Sequence, residues 1–306
     1  MGEVEVCVGG RGARGGGPRP SRCGHLTRSG PRGRARLSRS GNTRRFVVRP
    51  SFIRRELGRY FAAQQFLTRV PTPSWTPHES SELAASLKWF AVVGVLVGGW
   101  VGGVAVALSE VVTPSFGAII AVATGAALTG AFHEDGFADT CDAFGAYTIE
   151  RRREIMRDSR VGTFGALGLV ALFAAKVSAL ATVASTDSAW QVVGVSICAH
   201  TISRAATVLA IRVVPAVSDP TSRTRPYEAT WATVGFVLLA PTIPVAIAAL
   251  RWDAAFVLGA VIVVIEASRW FFRRFSGGVT GDGLGAINQV AEVIVWAVAV
   301  RSAVGR

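Results

Sequence analysis

Residues 130–167 read GAFHEDGFADTCDAFGAYTIERRREIMRDSRVGTFGAL, a long polar passage set between long apolar runs. Taken as a connection at a membrane face, it fixes what lies on either side of it: helices that cross a bilayer. Its polar residues are spaced rather than scattered. Asp135, Asp139 and Asp142 stand at i, i+4 and i+7, so on a helix they share one face. Three carboxylates crowded together repel one another and either hold protons or take up a cation. Hard oxygen donors suit magnesium or manganese, and magnesium commonly bridges to a substrate phosphate, which directs the reading toward phosphoryl chemistry. For Asp135 alone, a solvated helix start is an equal alternative, because acidic side chains oppose the positive end of a helix. The register of three, preceded by His133-Glu134 and followed by Arg151, Arg152, Arg153, Arg157 and Arg160, favours the site. Carboxylates for a metal beside guanidiniums for phosphates suit a nucleotide-handling centre.

Outward from this passage the chain is apolar. Half of its 306 residues are hydrophobic and 17% are charged, low for a soluble protein. Segments long enough to cross a bilayer fall at about 87–108, 114–132, 164–184, 190–212, 231–250, 254–272 and 284–304. Asn288 and Glu292 interrupt the last, so six spans remain an alternative. The fold class expected is all-α: a polytopic membrane helix bundle of about seven transmembrane helices. Strands are excluded because an open sheet edge leaves backbone groups unsatisfied in lipid. Gly94, Gly98, Gly99, Gly102 and Gly103 in the first span allow close helix packing.

Seven spans sort the loop arginines. Arg54, Arg55, Arg59, Arg69, those of 151–160, Arg223, Arg225, Arg273 and Arg274 fall on one side, against Arg251 in the opposite loops. The basic side is expected in the cytoplasm, in a cell-membrane protein. The acidic register, Asp158 and Asp282 share that side. Within the spans, Lys176, His200, Arg204, Glu266, Arg269, Asn288 and Glu292 each need a partner or a cavity. Glu266 and Arg269 are spaced as a structural ion pair, His200 reads as a packing residue, and Lys176 has no assignment.

Before the first span, FIRRELGRYFAAQQFLTRVPTP from Phe52 to Pro73 alternates large apolar residues with arginines at helical spacing, as an N-terminal interfacial helix does. Residues 1–50 hold 12 arginines against Glu3 and Glu5, so ten of the thirteen net positive charges are local and no nucleic-acid-binding body is implied. That Arg/Gly/Ser-rich stretch is expected to be a disordered extension, either a basic tail or the product of a misassigned start. Residues 51–306 form the membrane domain. Cys7, Cys23, Cys141 and Cys198 show no paired spacing, so neither disulfides nor a zinc site is indicated.

HEDGFADTCDAF followed by IMRDSRVGTFGAL resembles the signature of the cobalamin synthase family, the adenosylcobinamide-GDP ribazoletransferases. FLTRVPTP at Phe66–Pro73, KWFAVVG at Lys88 and GGVTGDGLGAINQVAE at Gly277–Glu292 agree with it in the family's order. Ala91 departs from the proline expected there. The resemblance implies that α-ribazole or its 5′-phosphate attacks the diphosphate of adenosylcobinamide-GDP, giving adenosylcobalamin or its 5′-phosphate and GMP. It implies Mg2+ on Asp135, Asp139 and Asp142, with Glu134 beside them. Arg69, Arg160, Arg204, Ser159, Thr280 and Asn288 become substrate-binding candidates. Asp282 is either a further ligand or the general base, with His133 and Asp158 as the other catalytic candidates. Besides these substrates the expected partner is the lipid bilayer; a homo-oligomer stays open. Two rivals are a membrane phosphotransferase resembling the CDP-alcohol type, whose second acidic cluster is missing here, and a transporter, for which no internal repeat is visible.

Overall fold

The computed structural model describes residues 51–158, 160–217 and 228–305; the expected disordered extension at 1–50, Ser159, and Arg223 and Arg225 lie outside the described residues. Among the described residues the fold is helical, with a single parallel bridge between Ala216 and Val279.

Helix α1 (Phe52–Leu67) starts where the Ser51 side chain accepts the Arg54 N–H and ends before Pro71 and Pro73. It buries Gly58, Ala62, Ala63 and Leu67 and leaves Phe52, Ile53 and Leu57 exposed, the division an interfacial helix needs. Arg59 is half-buried, 2.7 Å from Glu56 and 2.6 Å from Glu82 of α2 (Ser80–Ser86). Lys88 adds a 2.5 Å contact to Glu56; burial opposes ionisation of that carboxyl, but Lys88 and Arg59 together hold it below its ordinary range.

Among the described residues, six helical stretches are long and apolar enough to cross a membrane, and a seventh if one bent pair counts as a span. The first runs from Ser80 to Val111 through α2 and α3 (Phe90–Val111). Helix α4 (Pro114–Thr129) begins with a Thr113 cap and Pro114, and stops at two consecutive left-handed residues, Gly130 (φ 67°) and Ala131 (φ 55°). The chain there turns by 93° into α5 (Phe132–Asp142). The expected second span, to residue 132, thus ends slightly early because of that break. After the short α6 (Ile149–Ile155) come α7 (Thr163–Thr186) and α8 (Ala189–Val213). The next span joins α9 (Trp231–Val237) to α10 (Ile243–Leu250) through a widened turn at Leu238–Thr242, where Pro241 lacks an N–H. Helices α11 (Asp253–Phe275) and α12 (Gly281–Val304) complete the bundle.

Helices α8 and α12 form its centre, with 78% and 72% of their most apolar stretches buried. Helix α3 lies directly on α8. A Cβ added at Gly94 would sit 2.8 Å from the Thr201 Cα, and one at Gly102 2.7 Å from the Val193 Cα, whereas Gly99 and Gly103 face open space. The close approach uses the four-residue repeat Gly94, Gly98 and Gly102 because those positions share a face. Glu266 and Arg269 pair at 2.9 Å on the outside of α11, as their spacing indicated.

Candidate functional site: an acidic face where three helix ends meet

Helix α5 lies against the starts of α7 and α12, and glycines allow the contact. A Cβ on Gly136 would stand 2.8 Å from the Asp282 Cα, and one on Gly285 3.1 Å from the His133 carbonyl. This brings Asp282, in the first turn of α12, beside Asp135. The glycine-rich segment before it is tied down. Val279 donates to the Pro215 carbonyl at 2.8 Å, Val217 donates to the Val279 carbonyl at 3.0 Å, and Gly278, at φ 145°, donates to the Phe272 carbonyl at 2.9 Å. Thr280 caps α12 by accepting the Gly283 N–H at 3.1 Å. It acts as a helix cap in this arrangement, and its candidacy as a substrate-binding hydroxyl is left to experiment.

The expected register is present: Asp135 is exposed, Asp139 and Asp142 are half-buried, and Asp139 lies within electrostatic range of Asp135, Asp282, Asp142 and Asp158. Asp142 differs from its neighbours. Its two carboxylate oxygens accept N–H groups from Gly162 and Gly165, each at 2.7 Å, so it caps the start of α7. Asp135, Asp139 and Asp282 form no ion pair with any described residue.

Glu134 turns away from this face. Successive helical residues are about 100° apart, and Glu134 is buried, accepting from Gln289 Nε2 at 3.3 Å with Lys176 Nζ 3.6 Å away. His133 is buried on the same inner side. Arg204 is buried too, donating to the His200 carbonyl at 3.0 Å, and Asn288 donates to Thr207 at 3.2 Å. These four candidates therefore sit in the interior of the bundle and not with the three aspartates. Their spacing was legible, but the side to which α5 turns them was not.

Arginines divide in the same way. Arg69 is exposed; its main-chain N–H bonds the Leu128 carbonyl at 2.8 Å, and its guanidinium rests on Gly130, at the break that begins α5. Arg160 reaches back to Asp158 at 2.6 Å, and that hydrogen bond holds the Asp158 carboxyl down at about 2. Ser159 between them lies outside the described residues. Arg152 and Arg153, read from sequence as phosphate partners, are engaged elsewhere. Arg152 donates to the Ala146 and Phe275 carbonyls at 3.0 and 3.1 Å, and Arg153 to the Ser276 carbonyl at 2.8 Å. They buckle α6 to the turn that leads to Asp282, a role no local sequence signal reveals.

Among the described residues, no three His, Cys, Asp or Glu side chains converge as a ready-made metal cage. Asp135 and Asp139 are oxygen donors of the kind a hard cation takes.

Fold and face together define a polytopic membrane protein with an acidic face at one end of its bundle. The chain belongs to the cobalamin-5-phosphate synthase family, whose profile matches residues 59–300. It is 35% identical over 246 residues to the adenosylcobinamide-GDP ribazoletransferase of Shewanella piezotolerans, covering 79% of this chain and 95% of that one. The proteins of that name from Shewanella frigidimarina and Vibrio cholerae are 36% and 32% identical, each over 80% of this chain and 94% of theirs. No solved structure gives a significant match.

Proposed function

We propose that this protein joins the cobinamide-phosphate group of adenosylcobinamide-GDP to α-ribazole or its 5′-phosphate, releasing GMP. The names borne by its relatives support that reaction. The observation that carries the site assignment is that Asp135, Asp139 and Asp282 lie within electrostatic range of one another and form no ion pair with any described residue. A ribose hydroxyl attacks the phosphorus next to the cobinamide, the bond to the bridging oxygen breaks, and GMP departs with the electron pair. Asp135 and Asp139 would hold Mg2+, which when bound neutralises the diphosphate and the departing GMP. Asp282, half-buried beside them, receives the hydroxyl proton. Arg69 and Arg160 hold phosphate oxygens, and Asp158 orients Arg160. His133, turned inward, is a poorer base candidate than Asp282. The acidic end faces the cytoplasm, following the loop arginines.

The test is direct. Membranes given adenosylcobinamide-GDP, ribazole phosphate and magnesium form GMP and a joined product, and membranes carrying Asp135→Asn do not. Equal turnover by the variant removes Asp135 from the site.

A further inference from the structure

On the inner side of α5 lies a small enclosed cavity, lined by Glu134, Lys176, His200, Arg204, Gln289 and Glu292 among others. Lys176, in the middle of α7, is buried and bonds Gln289 and Glu292 of α12, the latter at 2.9 Å, while Glu134 of α5 lies 3.6 Å away. Two carboxylates, one ammonium and one guanidinium thus share one small pocket. An unpaired charge at this depth is costly, and replacing such clusters by apolar residues is often harmless to stability. Stability alone therefore does not account for the lysine.

We propose that Lys176 is a positioning residue for the acidic face. Helix α5 leaves α4 through two left-handed residues and has no side-chain cap at its start. Glu134 precedes Asp135 directly. Holding Glu134 against Lys176 and Gln289 therefore sets the direction in which Asp135 and Asp139 point. Helix α12, which carries Asp282, is held by the same ammonium, so one group keeps the two sets of carboxylates in register. A displacement of an ångström at a reacting centre is enough to lower a rate by orders of magnitude.

This inference rests on the acidic face being the reactive site, and the experiment separates the two. Wild type, Lys176→Met, Lys176→Arg and Glu134→Ala are purified in detergent. For each, Mn2+ binding is measured by electron paramagnetic resonance, with folded yield, thermal midpoint, kcat and KM for ribazole. The expected result is a kcat and a Mn2+ affinity about tenfold or more lower in Lys176→Met and Glu134→Ala, with KM for ribazole within about twofold and partial recovery in Lys176→Arg. Folded Lys176→Met with unchanged kcat and Mn2+ affinity overturns the proposal. If Lys176→Met does not fold, Glu134→Ala, which leaves the Lys176–Glu292 pair intact, decides on the same readouts. If wild type takes up no Mn2+, the metal reading of the face fails; positioning is then judged on kcat, and an unchanged kcat in Glu134→Ala overturns it.

Discussion

Gly136 of α5 and Asp282 of α12 meet backbone to backbone: a Cβ on Gly136 would lie 2.8 Å from the Asp282 Cα and 2.9 Å from its carbonyl oxygen. No side chain can yield at this contact, because the obstacle is main chain. The distance between the two helices, and with it the spacing of Asp135 from Asp282, is fixed by the absence of one methyl group. Gly136→Ala should cost about 1–3 kcal/mol of stability and reduce product formation more than tenfold. Gly99→Ala, which meets nothing within 4 Å, should be neutral or stabilising by about 0.5–1 kcal/mol. Thermal unfolding in detergent and a GMP-release assay distinguish the pair.

Asp142, with both oxygens on main-chain N–H groups, is expected to behave as a structural carboxylate. Asp142→Ala leaves the Gly162 and Gly165 N–H groups without their acceptor and should lower stability by about 1–2 kcal/mol. Asp142→Asn keeps an acceptor and should lose less. Neither should abolish magnesium-dependent protection against heating, measured as the rise in unfolding midpoint on adding Mg2+.

Asp135→Asn and Asp139→Asn should show the opposite pattern. Without magnesium their midpoints should equal or exceed that of wild type, because a repelling charge is gone from the crowded face. On adding Mg2+ the wild type should gain about 2–3 kcal/mol at a hundredfold excess over its Kd, and these variants little. A chelator should return wild type to its metal-free midpoint.

The Asp158–Arg160 fork allows a pH test. Arg160 holds the Asp158 carboxyl at about 2, against an ordinary 3.8. A lowered carboxyl contributes its stabilisation above the ordinary value and loses it as pH falls through about 2. The fork is therefore intact across the whole working range, and any acid limb of the rate profile between pH 5 and 8 belongs to another group. Asp158→Asn should lower the rate by releasing Arg160 but leave that limb where it was, as read from kcat/KM against pH.

Arg153→Ala removes the bond to the Ser276 carbonyl and should loosen the turn before Asp282, lowering kcat several-fold. Arg151→Ala removes only an exposed 2.8 Å pair with Glu154, a change worth about 0–1 kcal/mol that leaves turnover as it was. Side-by-side kcat measurements decide between a buckle and a phosphate contact shared by all the arginines of α6.

Most of the architecture was legible in the sequence because the bilayer imposes it locally. A run of about twenty apolar residues must be helical to satisfy its own backbone, whatever its neighbours do. The spans lie within a few residues of their expected places, apart from a first one extended to Ser80, and Asp135, Asp139 and Asp142 share a face because 3.6 residues make a turn. The α4–α5 break was hidden, since Ala131 carries no mark of the positive φ that the surrounding packing imposes on it.

What the sequence by itself determined, then, was what period and composition set: the helices, the stretches long enough to span a bilayer and the acidic register. Tertiary structure decided the direction of each side chain once α5 was packed against α7 and α12. It sent Glu134 inward to Lys176 while Asp135 stayed on the open face, gave Asp142 to N–H groups twenty and more residues away, and brought Asp282 to Gly136. Such partners are chosen by where distant helices cross, and a linear pattern carries no record of that crossing.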